Sequence, residues 1–374
     1  MNDVFINGLG AFLPGPPIPN DEIENYLGYI YGKPSRFRAF ALRQNRIKTR
    51  HYAIDQAGRW LHTSAEMAAL AVLNAIESSE ISLQDITYLA SSATLGDALV
   101  PGLAAHVHAA LDAGAIEIAN FQSVCASALM TLKSAFVQLK AGEHECAAVT
   151  GSEFASRYFR PGFYECVETY KATREIPFQA DFLRFTLSDG AGAAILETRP
   201  NARQKSLRIL WIDIRSFAHR FDTCMVGGAI KNERDWAYWS GFDTPVAAAE
   251  AGAFVLTQDF DLMKRMLPVW VSHYLDLIDR GRIVIDEIDH VCSHYSSHSL
   301  REEIVSLLVK AGAIVDERKW FSNLATKGNT GTASIFIMLE ELCRAGDLKT
   351  GEKILCHVPE SGRALNGFML LEVV

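Results

Sequence analysis

Apolar positions along the chain fall into two alternating patterns. Short runs with β-branched or small residues, "DITYLASSAT", "ECAAVTGSE", "GAGAAILE", "RILWIDIRS", "IDHVCSHY", "EKILCHVP" and "FMLLEVV", predict buried strands. Between them, apolar residues recur at helical spacing over 62–79, 125–140, 259–279, 298–311 and 331–345, which predicts helices. Buried strands alternating with helices imply α/β layers.

The pattern repeats. "SVCASALMTLKSAFVQLKAGEHECAAVTGSE" has a counterpart in "GNTGTASIFIMLEELCRAGDLKTGEKILCHVPESG": a small-residue helix start, a helix ending in Ala-Gly, a polar loop and a strand. Ala141 and Ala345 stand 204 positions apart, and the same shift carries Cys125 onto Asn329. Upstream, "DITYLASS" pairs with "EIDHVCSH", which puts His294 at a matching strand end. The chain therefore reads as two halves, 1–200 and 201–374, divided in the charged stretch "ETRPNARQKSLRI". Residues 154–184 interrupt the first half with mixed aromatics and charges, as a pocket lining or a surface insertion would.

At 374 residues, 49% hydrophobic and 21% charged, the chain can bury a large core. A net charge of −8 predicts no general attraction to nucleic acid or an anionic membrane. Seven cysteines without CxxC spacing argue against a disulfide framework and a zinc ribbon, and fit a reducing cytoplasm. No membrane span is expected, and the short N-terminal apolar run, cut by Gly8, Gly10 and Pro14, does not read as a signal peptide.

Cys125 is expected at the first turn of the helix 125–140, where free amides and the helix dipole would lower its pKa; packing as a small buried residue is the other reading. Its own amide could donate to an oxyanion. His294 ends a buried strand and could donate to a developing enolate or carry a proton, or serve structure alone. His290 and His298 share its i, i+4 spacing, but the strand pattern separates their faces, so no metal is expected. Asn329 opens the second helix as a cap or as an amide donor. "SDGAGAAIL" lacks a phosphate-loop pattern and reads as tight strand packing.

Together "SVCASAL", "VCSHYSS", "GNTGTAS", "DGAGAAIL" and "SGRALNGFMLLEV" resemble, across essentially the whole chain, the thiolase-superfamily condensing enzymes of the β-ketoacyl carrier-protein synthase III type. The resemblance implies a duplicated αβαβα thiolase fold, a homodimer and no cofactor beyond the coenzyme A or acyl carrier protein that brings the acyl groups. It implies a Cys125 acyl-enzyme, with His294 and Asn329 binding the carbonyl of a second thioester for Claisen condensation. Gly362 falls near the oxyanion-hole position, beside the Cys125 amide. In "KPSRFRAFALRQNRIKTRHY", with seven Lys or Arg and no acid, the resemblance suggests Arg43 as a phosphate contact, with Arg301 as a carrier-protein contact. A plain solvated face is the alternative.

Three departures set this chain apart from fatty-acid initiation: Tyr295 after His294 where those enzymes have Gln, a triple-glycine loop reduced to "ESGRALNG", and the long insertion 154–184. "FLPGPPIPNDEIENYLG", "RHYAID" and "FLRFTLSDGAGA" are closer to cyclising ketosynthases that make dialkylresorcinol or bacterial stilbene precursors. Glu153 in "VTGSEF" is the expected extra base for cyclisation, or else a cap or a partner of a nearby Arg. An acyl hydrolase or O-acyltransferase on the same fold is the competing activity.

Overall fold

The computed structural model describes residues 2–233 and 235–374. Its main sheet draws on ten strands: β1 Phe5–Phe12, β2 Tyr88–Ala93, β3 Glu117–Gln122, β4 Cys146–Glu153, β5 Gly190–Glu197, β6 Leu207–Ser216, β7 His290–Ser293, β8 Trp320–Phe321, β9 Lys353–Glu360 and β10 Leu365–Val373. The spatial order is β8-β7-β9-β10-β6-β1-β5-β4-β2-β3. Read outward from the centre, β1-β5-β4-β2-β3 and β6-β10-β9-β7-β8 have one topology, the second set being the first displaced by five strands. In each set the last four strands carry two parallel pairings and one antiparallel pairing. The sets meet where Phe5 pairs with Arg208 and Ile6 with Leu207.

Helices fill three layers around these strands. Helix α1, Ser64–Glu77, starts at a capping box in which Thr63 Oγ1 accepts the Glu66 amide and Glu66 Oε2 accepts the Thr63 amide. It packs on β1 and β5. Helices α2, Ser127–Ala141, and α5, Ser334–Arg344, lie in the middle: α2 touches β2 and β4 as well as β6 and β10, and α5 touches β1 and β5 as well as β7. Helices α3, Phe260–Asp279, and α4, His298–Lys310, pack together beyond the second set. Three buried apolar clusters match this αβαβα layering. The two middle helices end alike, since Gly142 and Gly346 take left-handed φ values of 88° and 80°, which explains the repeated Ala-Gly.

The structure differs from the periodicity reading at β1, whose glycines look like breaks. A Cβ on Gly10 would lie 2.9 Å from Ala75 Cα of α1, so the glycine admits the helix rather than ending the strand. Close packing also explains "DGAGAAIL": a Cβ on Gly192 would lie 3.1 Å from the Ala333 carbonyl oxygen at the start of α5. No helix among the described residues is long and apolar enough to cross a membrane.

Candidate active site

Sequence chemistry and fold converge where the middle helices begin. Cys125 is buried two residues before α2, and Asn329 is buried ahead of the short 3-10 turn Gly331–Ala333 that leads into α5. One cleft is lined by Cys125, Glu153, Asn329, Gly331, Ser296 and Ser361, with Tyr158, Leu183 and Leu187 forming part of its apolar wall. Tyr158 and Leu183 belong to the 154–184 segment, so the insertion lines the pocket. It is anchored across the molecule by Phe182 stacking edge-on against Phe260 of α3 at 4.9 Å. Arg157 holds the turn before Tyr158 through a 2.7 Å ion pair with Asp97 and by donating to the carbonyls of Leu95 and Gly96.

Asn329 is fixed by its surroundings. Its Oδ1 accepts the Gly331 amide at 2.9 Å, its carbonyl accepts the Ser188 amide, and its own amide donates to the Thr186 carbonyl. With Oδ1 occupied, Nδ2 is the end left to donate into the cleft. His294 is buried two residues before Ser296, which lines the cleft. Its Nδ1 lies 2.9 Å from Ser334 Oγ, and burial pushes the imidazole pKa down to about 4. At neutral pH it is an uncharged donor, and a Ser334 hydroxyl donating to Nδ1 leaves the proton on Nε2. The expected i, i+4 histidines diverge, His290 to Glu352 and His298 to Glu302.

Glu153 ends β4 with its carboxylate accepting from Thr94 Oγ1 at 2.7 Å and from the Thr332 amide at 3.4 Å. Burial raises its pKa to about 7. No arginine forms an ion pair with it among the described residues, so the pairing alternative gives way to a carboxylate that accepts from a hydroxyl and an amide. Gly331 is required beside it: its φ is 50°, and a Cβ there would collide with the Glu153 carboxylate.

Two expectations need correction. The Cys125 thiol is not lowered by the helix start; burial, then the negative charges of Glu360 and Glu153, hold it well above its ordinary range. The Ala126 amide is taken, because Glu360 Oε2 accepts from it, which leaves the Cys125 amide to favour the thiolate. Gly362 lies beside the turn that carries Cys125, where a Cβ would stand 3.1 Å from Val124 and 2.8 Å from Glu360; its carbonyl accepts the Cys224 amide at 2.8 Å, and its neighbour Ser361 lines the cleft. Arg301 is a structural tie, paired with Glu317 at 2.8 Å and stacked on Trp320. Arg43, by contrast, is exposed on the helix Arg38–Asn45 and lies over the Phe40 ring in cation–π fashion.

Sequence reasoning missed Glu360 altogether. It ends β9 as Glu153 ends β4, and the repeat that aligned "VTGSEF" with "VPESG" was the signal that could have found it.

Comparisons with known proteins agree with this fold. The family described as "3-Oxoacyl-[acyl-carrier-protein (ACP)] synthase III C terminal" matches residues 278–368. A "Beta-ketoacyl-[acyl-carrier-protein] synthase III" of Clostridium acetobutylicum is 22% identical over 355 residues, covering 95% of this chain and 94% of the relative. Among solved structures, "AbyA1 - tetronic acid condensing enzyme" superposes with a TM-score of 0.78 at 21% identity, over 99% of both chains. OleA of Xanthomonas campestris does so with a TM-score of 0.72 at 19% identity, over 99% of this chain and 98% of that one.

Proposed function

We propose, from the premise that this chain is a thiolase-superfamily condensing enzyme of the β-ketoacyl synthase III kind, that it joins two acyl thioesters and then cyclises the product. The chemistry uses no cofactor beyond the phosphopantetheine that carries the acyl groups. The observation that carries the reading is the single cleft shared by Cys125, Asn329 and Glu153, with His294 two residues before Ser296 of its wall.

In the first half-reaction Cys125 Sγ bonds to the carbonyl carbon of an acyl thioester and the donor thiol leaves. One hard transfer becomes two easier ones. In the second, the carbonyl oxygen of another thioester accepts from His294 Nε2–H and Asn329 Nδ2–H. A neutral imidazole and a primary amide are suited to an enolate, since both donate without placing a cation there. The α-carbon gives a proton to the ionised Glu153 carboxylate, the enolate carbon so formed attacks the acyl carbon, a carbon–carbon bond forms, and Cys125 leaves with that proton as the thiol. Glu153 serves as the base for the later ring closure, and a carboxyl that titrates near 7 can both take and return a proton at neutral pH. The product is a cyclohexanedione or dialkylresorcinol precursor.

Arg43 supplies the exposed cation for the phosphate of coenzyme A or of a carrier protein. The protein works as a cytoplasmic homodimer. Support comes from the outer edge of β3, which ends the sheet, and from the neighbouring Leu99 and Val100, 81% and 82% exposed.

The test is direct: purified protein receives a β-ketoacyl thioester and a second acyl thioester, and products are weighed. A cyclised product of both chains and an acyl adduct on Cys125 are expected. A linear β-keto product would end the cyclising reading, and free acid alone would replace condensation with hydrolysis.

A further inference from the structure

Glu360 is buried at the end of β9, and both its oxygens are spent on the turn that carries the nucleophile. Oε1 accepts from Ser123 Oγ at 2.6 Å, and Oε2 accepts from the Ala126 amide at 3.2 Å. These partners flank Cys125, two residues before it and one after. The carboxylate comes from the opposite half of the chain, and it is met by a hydroxyl and an amide rather than by a cation. A buried carboxylate so poorly compensated is costly as an anion.

That placement changes how the thiol can be activated. Of the charged groups acting on Cys125, Glu360 has the largest effect. While it is ionised, a thiolate would be a second anion on the same turn, with the Ala126 amide already occupied. Moving the thiol proton onto Glu360 avoids this, because the turn keeps one negative charge throughout. His294 is less well placed to take that proton, because its Nδ1 is engaged by Ser334 Oγ and burial holds the imidazole pKa down to about 4.

We propose that Glu360 is the proton acceptor for Cys125 in acyl loading. The Sγ–H bond breaks as an O–H bond forms on Glu360, and Sγ bonds to the thioester carbonyl carbon. The bond from that carbon to the donor sulfur then breaks, and the departing thiolate takes the proton from Glu360 and leaves as the thiol. This deepens the condensing reading and rests on it. Burial brings Glu360 up to about 7, which lets it accept and return a proton near neutrality. The ionisable groups on the elements packed around it are Cys125 at the α2 turn, Glu153 at the end of β4, His294 after β7, His357 on its own strand, and Cys224 and Arg363 at the Gly362 loop.

The experiment compares the wild type, Glu360→Gln and Ser123→Ala by two measurements across pH on the intact protein: alkylation of Cys125 by iodoacetamide without substrate, and acyl loading from an acyl-coenzyme A followed by mass. Wild-type loading should rise as Glu360 ionises, through about pH 7. Glu360→Gln should lose that rise and at least about 100-fold in loading rate. Its alkylation midpoint should nevertheless move to lower pH, because an anion has been removed from beside the thiol; a purely structural role would not produce this opposition. Ser123→Ala removes a donor that favours the ionised carboxylate, so its loading midpoint should move to higher pH. Loading by Glu360→Gln within a few-fold of wild type, or an alkylation midpoint that stays or rises, would overturn the proposal. If circular dichroism finds Glu360→Gln unfolded, the Ser123→Ala midpoint decides: an upward shift supports the proposal and no shift overturns it. A wild type that takes up no acyl group would overturn the condensing reading itself, while the alkylation shift would still decide whether Glu360 governs the thiol.

Discussion

The two halves of the chain build the same corner and equip it differently. In the first, Cys125 precedes α2, and Glu360 from the second half accepts from the amide of Ala126. In the second, Asn329 precedes α5, and Glu153 from the first half accepts from the amide of Thr332. Each strand-end carboxylate thus crosses over to cap the other half's helix start. Burial raises both to about 7. What differs is the residue in front of the helix: a thiol that must become an anion, and a carboxamide that must not. Duplication supplies the geometry, and one substitution at the pseudo-symmetric position divides nucleophile from donor.

Removing one residue at a time from the two corners should therefore stop different half-reactions. Cys125→Ala is expected to abolish the acyl adduct, and with it every product. His294→Ala and Asn329→Ala should still load acyl within about tenfold of wild type but lose about 10²- to 10³-fold in carbon–carbon bond formation, the scale of a missing oxyanion donor. Intact-protein mass for the adduct and product mass for condensation separate the two. Loss of loading in Asn329→Ala would erase the division of labour.

The corners should also differ in mechanical tolerance. Gly331→Ala places a methyl at φ 50° against the Glu153 carboxylate and is expected to cost about 2 to 4 kcal/mol in denaturant unfolding. The matching residue of the first half is Ser127, whose Oγ donates to the Val124 carbonyl at 2.8 Å. Ser127→Ala should cost only about 1 kcal/mol.

A third contrast sets the carboxylates against the imidazole. For Glu153 and Glu360 the folded pKa, about 7, lies above the ordinary 4.5, so folding favours the neutral acids. Their contribution is complete below 4.5 and is lost as pH rises through 7, by up to about 3 kcal/mol each. His294 is lowered from 6.5 to about 4, so its contribution is complete above 6.5 and is lost as pH falls toward 4. Unfolding free energies from pH 4 to 8 should show both limbs, and Glu153→Gln should flatten only the alkaline one. An unchanged alkaline limb would mean that Glu153 is not the buried acid described.

Much of this was legible in the sequence because duplication prints itself as a repeat: all seven strands read from periodicity exist, and the five helices lie within a few residues of their expected bounds. Strands β1 and β3 and the two-residue β8 escaped, the first two for opposite reasons. The first is glycine-pocked because α1 lies on it, and the second is an edge strand with exposed alternate positions. A further helix, Leu103–Leu111, sits between β2 and β3 and was also missed. At the site, the positions of Cys125, Asn329 and Glu153 followed from the repeat. The sign of the thiol's perturbation did not. Burial sets it first, and then a carboxylate more than 200 residues away that fills the helix start, which no local pattern around Cys125 reveals.

The smallest expected effects concern the two arginines at the periphery, and they should fall on different measurements. Arg43 is exposed and forms no ion pair among the described residues, so Arg43→Ala should leave stability unchanged and weaken acyl-coenzyme A loading a few-fold through KM. Because the phosphate contact would be solvent-exposed, that loss should shrink as salt rises and the Debye length falls below about 10 Å. Arg301 is half-buried between Glu317 and Trp320, so Arg301→Ala should lower stability by about 1 kcal/mol and leave loading as it was. A salt-sensitive KM in Arg301→Ala would restore it as a docking residue, and an unaltered KM in Arg43→Ala would move the phosphate site elsewhere on the basic segment 33–52.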